Sequence, residues 1–212
     1  MIYIITGAPG AGKGTISKIV ESDLGLIHVS TGDILRAQIQ KGDQLGQEIK
    51  ALIDAGKFVS DEMIEKIVDN RLVKEDIKSS GAMLDGYPRN IPQSNDLVKN
   101  VEIEGLIEVF LEDEVIIKRL SDRRVCPNCG ETFHLVSKKP KQENVCDVCS
   151  HALIHREDDK PEVIKERLET YHEHTAPIIN FFKEKGISYL QLRGDLDLNT
   201  QREFIVNQVK NL

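Results

Sequence analysis

The sequence predicts an α/β fold, a five-stranded parallel sheet flanked by helices, and three observations lead to it. Apolar runs at 2–5, 26–29, 83–85, 105–111 and 187–192 alternate with amphipathic helical stretches, and that alternation builds a parallel sheet covered on both faces. The first run leads straight into Gly7-Ala8-Pro9-Gly10-Ala11-Gly12-Lys13-Gly14-Thr15. Finally, 212 residues with 40% hydrophobic and 30% charged side chains suffice for one main core with inserted pieces.

The Gly-rich stretch has the form of a phosphate cradle, as in P-loop nucleotide-binding folds. A strand that turns through glycines into a helix leaves unpaired N–H groups at the positive end of the helix dipole. Gly10, Ala11, Gly12, Gly14 and Thr15 would line the cradle, and Lys13 stands where the G-x-x-x-x-G-K pattern puts a cation on the outer phosphates. Gly14 occupies the position of the usual Ser or Thr, with the hydroxyl one residue later in Thr15. An ordinary Gly-rich strand–helix turn would also account for this stretch taken alone.

After the cradle, Ile16, Ile19 and Val20 mark the buried face of a helix that stops near Gly25. The strand Leu26–Val29 ends at Ser30-Thr31-Gly32-Asp33, where Ser30 and the acid three residues on resemble a capping box. Two helices follow, one closed by Gly42 and the next, Leu45–Ala55, by Gly56. Residues 30–59 read as a helical insertion at a strand end, where α/β proteins place ligand-binding segments.

Ser60-Asp61-Glu62 opens another amphipathic helix. The next strand ends in Asp85, before Gly86-Tyr87-Pro88-Arg89. An acid at a strand terminus beside a P-loop suits magnesium, although Asp before Gly is also a common turn former. Val115–Arg124 reads as a helix with Arg119 and Arg123 four apart on one face, able to meet one anion together. A solvated charged face is the plain alternative.

All four cysteines lie in Cys126-Pro127-Asn128-Cys129 and, sixteen residues on, Cys146-Asp147-Val148-Cys149. Two such knuckles present four thiolates tetrahedrally, which suits structural zinc with no open position for chemistry. Disulfides and iron are the other readings of four cysteines. Glu131–Val136 alternates like a strand, with a hairpin tip at Lys138-Lys139-Pro140-Lys141. About 30 residues here hold too little apolar material to fold without the metal. Pro161 then opens a long helix whose apolar stripe runs from Val163 to Phe182, with Arg167 at its edge, and a terminal helix follows Asn199.

A net charge of -7 argues against sequence-independent nucleic-acid binding, which needs a basic face. No apolar run is long enough to cross a bilayer, and no basic leader precedes the first strand. A cytoplasmic protein with no membrane partner is expected.

Together, Gly7–Thr15, Ser30-Thr31-Gly32-Asp33 with Arg36, Leu84–Arg89 with Gln93, Arg119 with Arg123, and Arg156-Glu157-Asp158-Asp159 with Arg167 resemble adenylate kinase, in register along the whole chain. The form resembled has a long lid carrying a four-cysteine zinc site, and its cradle also reads Gly-Lys-Gly-Thr. The resemblance implies a core of 1–29, 60–121 and 160–212, an AMP-binding insertion at 30–59 and a zinc-containing lid at 122–159. It implies magnesium-dependent transfer of a phosphoryl group from ATP to AMP, giving two ADP, by a monomer.

ATP would meet residues 10–15, Arg119, Arg123, Thr132, Phe133 and the backbone of Leu196. AMP would meet Thr31, Arg36, Lys57, Phe58, Val59, Gly86, Tyr87, Pro88, Arg89 and Gln93, with Arg156 and Arg167 on its phosphate side. Lys13, Arg89, Arg123, Arg156 and Arg167 are the expected catalytic cations, with Asp85 and Asp33 holding magnesium through water. A kinase for another nucleoside monophosphate is the nearest rival. A P-loop ATPase with a nucleic-acid-binding zinc ribbon is a more distant one.

Overall fold

The computed structural model describes residues 1–196 and 198–212, and of residues 198 and 199 the backbone alone. Its centre is a parallel sheet of β1 (Ile2–Thr6), β2 (Ile27–Ser30), β3 (Ala82–Asp85), β4 (Gly105–Phe110) and β7 (Ser188–Arg193), in the order β2-β3-β1-β4-β7. The expected strands are thus present, each within a residue or two of its predicted limits. Ile4, Leu84 and Leu106 pack to one face of the sheet, and Ile5, Met83 and Ile107 to the other. Helices cover both faces, which is why the strands read as continuous apolar runs.

β1 lies at the middle of the sheet, where the strand order reverses, and ligand crevices open beyond the carboxyl ends of strands at such a point. The cradle follows β1 directly and leads into α1 (Lys13–Leu24). Gly12 caps that helix at φ 113°, a left-handed conformation open to glycine at little cost. Gly25, also left-handed, ends it with an N–H bond to Glu21 O.

β2 passes into α2 (Thr31–Gln40), and the Ser30 hydroxyl accepts from the Asp33 N–H at 3.2 Å, as the capping residues predict. α3 (Gln44–Asp54), α4 (Asp61–Leu72), α5 (Glu75–Ser80) and α6 (Ile91–Asn100) follow. Neither α5 nor α6 is among the expected helices. The signal for α6 was local: Asn90 caps it by accepting from the Gln93 N–H, and a proline sits in its first turn.

Three expectations need correction. α7 spans Asp113–Ser121, so Arg123 is not on the helix with Arg119; it begins β5 (Arg123–Val125), which pairs antiparallel with β6 (Thr132–His134). Strand pairing takes the chain where a basic stretch looked helical. The hairpin turns at residues 135–137, earlier than expected, because Lys138 already pairs back to His134. Lastly, the long helix after Pro161 is three pieces: α8 (Pro161–Thr170), a π-helical turn (Tyr171–Thr175) and α9 (Pro177–Glu184), with Pro177 unable to supply the regular amide bond. The terminal helix is α10 (Leu198–Lys210).

The small lobe has its own core of Cys126, Phe133, Cys146 and Leu153. Gln40 on α2 reaches the carbonyl of Pro127, and Lys18 on α1 pairs with Glu131, tying the lobe to two other parts of the molecule. Among the described residues, no helix is long and apolar enough to cross a membrane.

Candidate active site

Lys13 opens α1 and folds its ammonium back over the cradle, donating to Gly7 O at 2.8 Å and Ala8 O at 3.0 Å. Burial pulls its pKa down to about 8; Asp85 raises it, and Arg89, Arg167 and Arg123 lower it again. These interactions locate the site electrostatically. One carboxylate and three guanidiniums, delivered by β3, the turn after it, α8 and β5, converge on the lysine of the first βα turn. A Cβ at Gly14 would meet nothing within 4 Å, so that position faces open space.

Asp85 ends β3 opposite Ile5 of β1, one residue before Thr6 and the cradle, and its Oδ2 lies 3.1 Å from His28 Nε2. An anionic oxygen donor at this place fits a magnesium ion held near phosphates. Asp33 fits less directly: it is exposed and paired with Arg36, which holds its carboxyl below the usual range.

At the turn after β3, Thr31 Oγ1 donates to Gly86 O at 2.9 Å, and Arg89 Nε donates to the same carbonyl at 2.7 Å. Gly86 has φ 81°, and a Cβ there would come within 2.6 Å of Thr31 Oγ1 and 2.9 Å of Arg89 Nη2. Only glycine allows both side chains to close on this turn. The Tyr87–Pro88 peptide bond is cis, and both side chains are buried. Phe58 lies against the Arg89 guanidinium, 5.3 Å from ring centroid to Cζ, while Val59 is in the core and Lys57 is exposed. Thr175, in the π-helical turn, donates to Arg89 O at 2.9 Å. Gln93 is buried between Arg89 and Asp61.

Arg119 donates to Gly194 O at 2.9 Å and Ala11 O at 3.3 Å, so it braces the cradle from α7. Arg123 grips Asp159 with two bonds of 2.8 and 2.6 Å. Arg156 chelates Asp158, and Arg167 reaches Asp158 O at 2.7 Å and Asp159 Oδ1 at 3.1 Å. Burial alone would raise the Asp158 carboxyl; Arg167 and Arg156 outweigh it and bring the pKa down to about 2. Burial pulls the Arg167 guanidinium down to about 10. The residue pattern singles out the arginines and marks no role for the two aspartates they hold.

In the lobe, the Phe133 side chain is buried with the cysteines, and Thr132 is exposed. Leu196 packs against the apolar core beside α10. The sulfurs of Cys126, Cys129, Cys146 and Cys149 all lie within 4.8 Å of one another, a donor set that suits zinc. Neither His134 nor His151 joins them, since His134 Nδ1 instead accepts from the Val136 and Ser137 N–H groups.

The family model described as adenylate kinase matches residues 5–187. An adenylate kinase of Caldicellulosiruptor saccharolyticus is 45% identical over 210 residues, covering 97% of each chain. One of Kosmotoga olearia is 41% identical across 100% of both chains, and one of Methanosarcina mazei is 42% identical over 97% of this chain and 96% of its own. On matches of this extent, over a cradle ringed by cations from four later segments, the chain belongs to the adenylate kinase family.

Proposed function

We infer that this family member transfers the terminal phosphoryl group of ATP to AMP, reversibly, giving two ADP, and that the residues around Lys13 carry the reaction. The geometry at the cradle supports this reading most directly: Lys13 folds over it, Arg119 braces it, and Arg123 and Arg167 meet on Asp159. A plain NTPase needs a cradle for one nucleotide. A nucleotide kinase needs a second site, for which Thr31, Arg36, Arg89 and Gln93 are the proposed residues; the closure of Thr31 and Arg89 on the Gly86 carbonyl supports that reading.

In the forward direction a phosphate oxygen of AMP bonds to the terminal phosphorus of ATP, and the bond from that phosphorus to the bridging oxygen breaks, releasing ADP. Two anions that repel each other must be brought into line. Positioning and charge neutralisation therefore supply the catalysis, with no protein nucleophile. The cradle N–H groups and Lys13 hold the donor phosphates, Arg119 and Arg123 assist from the far side, and Arg36, Arg89, Arg156 and Arg167 hold the acceptor phosphate. Magnesium, when bound, spreads charge from the outer phosphate oxygens; Asp85 and Asp33 would hold its water ligands.

Water competes with AMP as acceptor, so the site should close around both nucleotides. Residues 30–59 and 122–159 are the proposed moving segments and 1–29, 60–121 and 160–212 the fixed core; closing lids are an established way to exclude water in kinases, the adenylate kinase lid among them. Zinc at the four cysteines would stiffen the lid without taking part in transfer. The protein is read as a cytoplasmic monomer acting on small molecules and not on nucleic acid.

The deciding experiment mixes the protein with magnesium ATP and each of the four common nucleoside monophosphates and follows ADP formation. Turnover with AMP well above the other three is expected. Turnover with UMP or CMP and none with AMP would overturn the reading.

A further inference from the structure

Gln93 is held by two partners whose hydrogen-bonding sense cannot change. The backbone N–H of Arg89 can only donate, and it meets Gln93 Oε1 at 2.7 Å. The carboxylate of Asp61 can only accept, and it receives Gln93 Nε2 at 2.6 Å. Between them they fix which end of the amide is oxygen and which is nitrogen.

The clamp is itself supported. Asn90 Nδ2 donates to both Asp61 carboxylate oxygens, at 3.1 and 3.0 Å, and Asn90 Oδ1 accepts from the Gln93 N–H at 2.9 Å. Asp61 sits in the first turn of α4 and Gln93 in the first turn of α6, so the bond between them joins two regular helices. Helical scaffolds hold such geometry better than loops do.

A primary amide has two N–H donors and two oxygen lone pairs. With one of each used by the protein, one N–H and one lone pair remain. Adenine offers the matching pair, an acceptor at N1 beside a donor at the 6-amino group. Hypoxanthine and guanine offer the reverse, a donor at N1 beside an acceptor at O6. Whether Gln93 favours one edge or the other depends only on which way its amide is turned.

We propose that Asp61 is a specificity-determining positioning residue, which selects 6-aminopurine over 6-oxopurine nucleotides by locking the Gln93 amide in one orientation. This rests on the reading that Gln93 faces the base of the acceptor nucleotide. Asp61 touches no substrate in this account and acts through Gln93.

The test replaces Asp61 by groups that can both donate and accept, Asp61→Asn and Asp61→Ser, and measures kcat/KM for AMP and for inosine monophosphate, whose base is the same size with the edge reversed. Assays are run at a temperature where melting curves show the variant folded, and the serine variant stands in if the asparagine one does not fold. The ratio of kcat/KM for AMP to that for inosine monophosphate should fall by at least about tenfold, as expected when a hydrogen-bonding site loses its fixed polarity. Equal losses on both substrates, with the ratio unchanged, would mean that Asp61 is merely structural and would overturn the proposal. Gln93→Ala separates the two levels: if it too leaves the ratio unchanged, Gln93 does not read the base and the underlying reading fails, whereas a collapsed ratio in Gln93→Ala beside an intact one in the Asp61 variants sinks the proposal alone.

Discussion

Gln40, at the end of α2, donates its side-chain amide to the backbone carbonyl of Pro127, 2.8 Å away in the first cysteine knuckle. It joins the helical insertion to the four-cysteine lobe without passing through the sheet. If both segments close in the working cycle, Gln40→Ala removes about 1 kcal/mol from the closed state. KM for AMP should then rise about fivefold, with the melting temperature nearly unchanged because the bond is on the surface. Steady-state kinetics at saturating ATP, beside a thermal melt, check both halves.

Asp159 is wholly buried and takes hydrogen bonds from both Arg123 and Arg167. In Asp159→Asn two enclosed guanidiniums lose their shared anion, and breaking a buried pair from one side costs about 3–5 kcal/mol. A fall in melting temperature of roughly 10 °C is expected for a chain of this size. Differential scanning calorimetry reads it directly, and a fall of only a degree or two would show that water reaches the cluster freely.

Asp158 makes a pH-dependent contribution to stability. Its folded pKa of about 2 lies below the unfolded value of 3.8, so the stabilisation is fully present above pH 3.8 and lost as pH falls toward 2. Acid titrations of wild type and Asp158→Asn, followed by circular dichroism in denaturant, should therefore differ in slope between about pH 4 and pH 2. The variant should have the flatter dependence.

Lys13 titrates at about 8 in the free site, down from 10.5. The unfolded chain binds the extra proton between those two values, so this group adds stability as pH rises from 8 to 10.5 and is a cost below 8. Activity moves the other way, because a neutral lysine gives the phosphates nothing. kcat/KM for ATP should decline above about pH 8, while kcat declines at higher pH, since bound phosphates favour the charged form. Lys13→Arg should lack the decline while working far more slowly.

Removing the metal from the four cysteines should loosen the lobe around Phe133 and Leu153 without deleting a catalytic group. Hydrogen exchange should speed up in residues 123–154 and the melting temperature should drop. The chemical step, measured by single turnover in enzyme that remains folded, should persist. Loss of that step outright would make the metal catalytic.

The sheet and the cradle were legible because buried parallel strands announce themselves as unbroken apolar runs, and because Lys13 lies at a fixed offset from glycines that only a close backbone approach requires. The cysteine knuckles were legible from spacing for the same kind of local reason. Arg123 was misplaced on a helix because its cross-strand partner, His134, lies beyond the first knuckle, and helical periodicity carries no trace of it. The π-helical turn that puts Thr175 under Arg89 left no signal beyond Pro177. Asp61 read as an acid favoured at a helix start, which it also is; its grip on Gln93 spans 32 residues and appears only when α4 and α6 are packed together.

The acid pair at Asp158 and Asp159 gives the phosphate-seeking arginines an internal tenant. Arg123, Arg156 and Arg167 each have a carboxylate to hold. On the proposed reading, nucleotides arriving and leaving exchange one anion for another, so the cations are never abandoned to a dry cavity between turnovers. Affinity for each phosphate is reduced by the rivalry, and release is made easier by the same amount, which suits an enzyme whose products and substrates are nearly the same molecules and must part company quickly in either direction.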